Sequence, residues 1–197
     1  MHKKVLSHFQ KVDPILHSLA LKIEELNLSV GDDPFVKLCE SIINQQLSGK
    51  AADTIFARLL KLFPREKITP KILIKIPDEK LRSCGISYSK IKYLKDLSKK
   101  VSSGFLKFDQ FDQLDEESVI GELIKVKGVG RWTAEMFLMF HLAREDVFSI
   151  GDLGLKRAIE KHYLKGKKAS NHQLLTISQI WSPYRTYASM VLWRSLG

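Results

Sequence analysis

The residues best suited to chemistry lie in one short stretch, LIKVKGVGRWTA at Leu123–Ala134, and in Asp152, which follows Gly130 by 22 residues. Gly128 and Gly130 flank one apolar residue, Val129, between an amphipathic helical pattern and the start of another. Glycine admits positive φ and close backbone approach, so such a turn can aim successive N–H groups outward at the head of the next helix. A helix head adds partial positive charge, and Lys125, Lys127 and Arg131 stand beside it, so a DNA phosphate suits the site. Taken alone, Gly-Val-Gly reads equally well as a plain helix-to-helix turn. It is neither a dinucleotide fingerprint, since Thr133 stands where a third glycine would fall, nor a GxxxxGK phosphate loop. Asp152 also has two readings, an N-cap for the helix expected over Leu153–Tyr163 or a negative charge placed for catalysis.

The elements that must position these residues are helical. Asp13-Pro14, Asp33-Pro34, Thr69-Pro70 and Ser182-Pro183 each pair a capping residue with proline, which predicts four helix starts. Apolar residues Leu38, Ile42, Ile43 and then Ile55, Leu59, Leu60 recur at helical spacing on either side of Ser48-Gly49, so two helices meet at a tight turn there. Lys90–Val101 reads as a basic amphipathic helix, and Asp115 can cap another whose face is Val119, Ile120, Leu123 and Ile124. Only Val147–Ile150 reads as extended. About ten short helices in an all-α fold are expected.

Composition narrows the classes further. The 197 residues are 44% hydrophobic, enough to fill a core, and 32 Lys plus Arg against 22 Asp plus Glu give a net charge of +10, which favours a polyanionic partner. The two cysteines, Cys39 and Cys84, form no CxxC pair, so a disulfide framework, zinc finger or iron-sulfur cluster is unsupported and a reduced cytosolic setting is expected. No 18-residue apolar run exists, so neither a membrane span nor export is expected.

Leu123–Ala134 resembles the hairpin of the helix-hairpin-helix DNA glycosylase superfamily. Further segments, IINQQLS at Ile42–Ser48, LRSCGI at Leu81–Ile86, DVFSIGD at Asp146–Asp152 and WSPYRTYA at Trp181–Ala188, resemble its alkylated-base branch, the 3-methyladenine DNA glycosylase II group. The resemblance covers residues 34–193, with these blocks in the expected order. The resemblance implies a single glycosylase module over residues 1–197, with a hairpin-bearing lobe at 33–140 and a second lobe from 1–32 plus 141–197. The hairpin would sit at the rim of a cleft between the lobes, with Asp152 inside it. Helical signals begin almost at once, so no separate N-terminal sheet domain is expected.

The implied chemistry is removal of an alkylated purine, 3-methyladenine and then 7-methylguanine, after base flipping from duplex DNA, the first step of base excision repair. Asp152 falls on the family's essential aspartate: as the base departs, positive charge builds on the deoxyribose, and a carboxylate beneath C1′ stabilises it. Relatives that also cut the strand carry a nucleophilic lysine two residues after the second glycine; here that position is Trp132, so a monofunctional enzyme is implied. Trp132, Trp193 and Met136 are the implied base pocket, because an electron-rich face favours a cationic base; Met136 stands where the enzyme that typifies this group has an aromatic residue. Trp181 is assigned to the core, and Arg185 to anchoring the last helix. Gln46, with Leu47 second, is the implied wedge that fills the vacated stack. Gly128, Val129, Gly130, Arg131, Lys125 and Lys127 form the implied DNA contact. Catalysis needs no cofactor, but a structural monovalent cation, Na or K, could bind the backbone carbonyls of Ile124, Val126 and Val129. The expected partner is double-stranded DNA with damaged bases, bound by a monomer in the cytoplasm, on the nucleoid of a bacterium or in a nucleus. A different damaged base, or a DNA-binding module without catalysis, remains the alternative.

Overall fold

A computed structural model describes residues 3–23 and 25–197. Among these there is no strand. The α-helices are α1 (Lys3–Val12), α2 (Pro14–Ala20), α3 (Pro34–Asn44), α4 (Gly49–Leu60), α5 (Pro70–Lys75), α6 (Asp78–Ser83), α7 (Tyr88–Ser102), α8 (Glu116–Leu123), α9 (Arg131–Phe140), α10 (Leu153–His162), α11 (Asn171–Gln179) and α12 (Arg185–Arg194). Short 3-10 turns at Pro64–Glu66 and Phe108–Gln113 complete the order. Contacts divide the chain into a unit of Gly31–Phe137 and a unit of Met1–Val30 with Leu138–Gly197.

Three of the four proline signals begin helices. Asp13 and Asp33 cap α2 and α3 through side-chain oxygens, and Pro70 opens α5 behind Thr69, whose hydroxyl makes no capping bond. Ser182-Pro183 departs from the expected pattern. Its peptide bond is cis, the chain turns there, and α12 begins only at Arg185. The start of α12 is held instead by Asp146, which accepts bonds from the Arg185 amide at 3.2 Å, Arg185 Nε at 2.7 Å and Ser182 Oγ at 2.7 Å. Val147–Ile150 likewise forms no strand. The Val147 amide donates instead to Thr186 Oγ1 at 3.0 Å, a partner that removes the need for a sheet neighbour.

In the Gly31–Phe137 unit, α7 is anchored by an apolar face. Ile91, Leu94 and Leu97 on one of its faces are fully buried, each worth about 1.5–3 kcal/mol relative to exposure, so the helix is a firm base for whatever its other residues hold. In the other unit, Phe9, Leu16, Leu155, Ile159, Trp181, Tyr187 and Val191 form the core. The buried Asp13 binds this core together: one oxygen accepts the Leu16 amide at 2.9 Å, the other the Tyr163 hydroxyl and Trp181 Nε1, both at 2.7 Å. Burial first, then the Asp13 carboxylate, hold the Tyr163 phenol far above its ordinary range, so it stays a donor.

Asp146 supplies a pH test. Burial alone would raise its carboxyl, but hydrogen bonds from Arg185 and Ser182 outweigh this and leave it below the usual carboxylate range. Its stabilising contribution is therefore complete above the unfolded value of about 3.9 and is lost as pH falls through the lower folded value. Denaturation midpoints measured from pH 6 down to 3 are expected to fall in the wild type, and Asp146→Asn is expected to start lower at pH 6 and slope less.

Candidate active site and nucleic-acid interface

The hairpin is built by the end of α8, a turn, and the head of α9. Asp115 caps α8, and its helix closes at Ile124 with the Val126 amide turning back to the Leu123 carbonyl at 3.0 Å. The Val129 amide then donates to the Val126 carbonyl at 3.0 Å, and buried Val129 ties the bend to the core. Gly128 takes φ +79°, and a Cβ there would lie 2.1 Å from Cδ2 of Tyr93. Only glycine fits. Gly130 is exposed with open space around it, and inside α9 no carbonyl stands four residues back for the amides of Gly130 and Arg131. Those amides are what the turn offers an anion.

The basic side chains of the hairpin are more committed than charge counting suggests. Arg131 pairs bidentately with Glu117, at 2.9 Å from Nη1, and its Nε donates to buried Glu135 at 2.9 Å. Two carboxylates thus offset one guanidinium, and Arg131 acts first as a brace between α8 and α9. Lys125 reaches Glu122 at 2.6 Å and lies 5.5 Å from the centroid of the Phe105 ring. Lys127 is exposed, and its amide donates to Asp96 Oδ2 at 2.9 Å.

The turn between α3 and α4 belongs to the same unit. Gln46 is exposed at φ +59°, Leu47 is 39% exposed, and Ser48 precedes α4 without a side-chain capping bond. Gln45, which sequence reasoning passed over, donates from Nε2 to the Gly128 carbonyl at 2.8 Å. The expected wedge and the expected phosphate turn are therefore hydrogen-bonded neighbours. Trp132 (49% exposed) and Met136 (half-buried) follow one turn apart on α9.

Asp152 lies in the other unit at the head of α10. It is 9% exposed, and its Oδ1 accepts the Leu155 amide at 2.7 Å and Trp193 Nε1 at 2.8 Å. The carboxylate is thus an N-cap and is also fixed from α12 by an indole. Trp193 packs against the exposed Phe140, with ring centroids 5.9 Å apart. Gly154 makes this possible: a Cβ there would sit 2.9 Å from Trp193 Cδ1 and 3.0 Å from Asp152 Oδ1. Neither Phe140 nor Gly154 was among the sequence candidates. Gly154, two residues after the aspartate, was the available signal.

A family model described as "HhH-GPD superfamily base excision DNA repair protein" matches residues 39–183. The chain belongs to this superfamily. DNA-3-methyladenine glycosylase 1 of Schizosaccharomyces pombe is 33% identical over 83% of this chain and 72% of its own length. Among solved structures, DNA-3-methyladenine glycosidase from Bacillus halodurans superposes with a TM-score of 0.90 at 36% identity, covering 100% of this chain and 90% of that one. The Schizosaccharomyces pombe 3-methyladenine DNA glycosylase in complex with abasic DNA gives 0.84 at 31% identity, covering 98% and 96%. The HhH-GPD match encloses Gln46, the hairpin and Asp152, whereas Trp193 lies beyond its end.

The carbonyl set of Ile124, Val126 and Val129 has the chemistry of a monovalent cation site, being neutral and all oxygen. Accepting the Val129 amide uses one lone pair of the Val126 carbonyl and leaves the other.

Proposed function

We propose that this chain is a monofunctional DNA glycosylase that hydrolyses the N-glycosidic bond of alkylated purines in duplex DNA, 3-methyladenine foremost and 7-methylguanine next. The reaction opens base excision repair. The observation that carries the reading is Asp152: a buried carboxylate held by a helix amide and an indole N–H, in a chain of the HhH-GPD superfamily whose similar relatives are named for 3-methyladenine excision.

Alkylation at N3 or N7 leaves the purine cationic and its bond to C1′ weak. As that bond breaks, the pair goes to the base, which becomes neutral, and positive charge passes to the sugar. Asp152 opposes that charge, a water oxygen bonds to C1′ and loses its proton, and an abasic site remains. Trp132, Trp193 and Met136 are the side chains offered to the base, since aromatic faces favour the cationic purine over a normal one. Gln46, seconded by Leu47, fills the gap in the stack. The partner is double-stranded DNA, held through the amides of the Gly128–Gly130 turn with Lys125, Lys127 and Arg131 around it. The carbonyls of Ile124, Val126 and Val129 would hold a sodium or potassium ion, which adds positive charge toward a phosphate. The protein acts as a monomer, in the cytoplasm on the nucleoid or in a nucleus. Among the described residues no helix is long and apolar enough to cross a membrane.

Duplexes each carrying one lesion test this directly. Release of free 3-methyladenine is expected, with an unbroken strand bearing an alkali-labile abasic site and no protein adduct trapped by borohydride. A trapped adduct would assign a lysine nucleophile at some position other than 132. Binding without release from any alkylated duplex would leave a non-catalytic DNA-binding module.

A further inference from the structure

α7 presents Lys90, Tyr93 and Asp96 at intervals of three residues, along one side of the helix. Each holds a different piece of the DNA-facing surface. Lys90 Nζ donates to the carbonyls of Ile43 at 2.8 Å and Gln45 at 2.6 Å, where α3 ends and the wedge turn begins. The Tyr93 ring underlies Gly128, and Asp96 accepts the Lys127 amide. Gln45 closes the circuit from the turn back to the Gly128 carbonyl. Gln46 sits within this frame in the left-handed region, a conformation that a residue with a Cβ keeps only where its neighbours enforce it.

Lys90 is unusual among the lysines of this basic helix. Its ammonium meets carbonyl oxygens rather than a carboxylate, and partial burial lowers its pKa from the ordinary lysine value. A cation at a helix C-terminus is favourable, but α3 could have carried its own in its last turn and does not. The ammonium is supplied across the unit, from the helix whose Tyr93 and Asp96 also touch the hairpin.

We propose that Lys90 and Gln45 are positioning residues for base extrusion, holding the wedge turn in register with the phosphate-gripping hairpin so that strand capture and entry into the stack occur as one rigid step. This rests on the glycosylase reading given above. A purely structural role would weaken every activity alike. A positioning role acts only where a base must be pushed out, because a base already unstacked needs no wedge.

The test compares single-turnover release of one alkylated purine from a fully paired duplex and from a bulge. Lys90→Met is expected to lose about tenfold or more on the paired duplex, the scale of a small misplacement, and less than about twofold on the bulge. Lys90→Arg, whose guanidinium can reach the same carbonyls, is expected to recover part of the loss. Gln45→Ala changes a partly exposed turn residue, so it keeps the comparison available if Lys90→Met folds poorly, and is expected to show the same preference for the bulge. Equal loss on both substrates, or no loss on either, overturns the proposal.

A second arm needs no catalysis. 2-Aminopurine opposite an abasic analogue should brighten when wild-type protein binds and stay dim when Lys90→Met or Gln45→Ala binds to saturation. If wild-type protein brightens the probe and the variants do not, yet no base is released, the glycosylase reading fails while the positioning role stands. If the variants brighten it as the wild type does, the positioning role fails while the glycosylase reading stands.

Discussion

Asp152→Asn is expected to bind alkylated duplex with wild-type affinity and to release base at least about 100-fold more slowly, the scale associated with removing a key electrostatic group. The structure explains why the two properties separate. Asparagine is as good an N-cap as aspartate, so its amide oxygen can keep the bonds from the Leu155 amide and Trp193 Nε1 that now converge on Oδ1. What disappears is the charge. Thermal unfolding should therefore shift little, whereas Asp152→Ala, which also removes the cap, should lose about 0.5–2 kcal/mol in addition to activity. Single-turnover release, a binding titration and an unfolding curve on the two variants separate charge from capping. Near-normal release by Asp152→Asn would mean that the carboxylate is only a cap.

The helix ends, Asp152 as a cap among them, were legible in sequence because their signals are local. Asp13-Pro14 and Asp33-Pro34 are complete capping signals within two residues, and both begin helices as expected. Ser182-Pro183 carries the same local signal and fails, because Asp146, 36 residues away, takes the Ser182 hydroxyl and sets the start of α12 at Arg185. The site follows the same division. Asp152 could be read as a cap from its helix head and as the candidate carboxylate from the resemblance, but Trp193 as its hydrogen-bond donor could not, since that bond spans 41 residues. Trp193 was read as a stacking face, and the structure adds that its edge fixes the carboxylate. Charge was the least reliable guide. Lys125, Lys127 and Arg131 look alike in sequence, yet Arg131 is taken by Glu117 and Glu135, while Lys90, whose helix reads only as basic and amphipathic, holds the wedge turn. Net charge counts groups and does not show which of them are paired.

Gly128→Ala is expected to destabilise the protein by about 2–5 kcal/mol, combining left-handed backbone strain with overpacking, and to weaken DNA binding by displacing the turn amides. Two causes act at once. The residue sits at φ +79°, and its added methyl would stand 2.1 Å from the Tyr93 ring, closer than any contact side chains tolerate. A double-mutant cycle separates them. Tyr93→Ala removes the ring and costs stability of its own, but in that background Gly128→Ala should keep only the backbone part, about 1–2 kcal/mol. The coupling measured by chemical denaturation should accordingly be favourable by about 1–3 kcal/mol. DNA affinity should recover in the double variant only as far as the turn regains its place, because the positive φ is still imposed on alanine. Strict additivity would show that the ring does not seat the hairpin, and α7 would then lose its role as the base on which the phosphate turn rests.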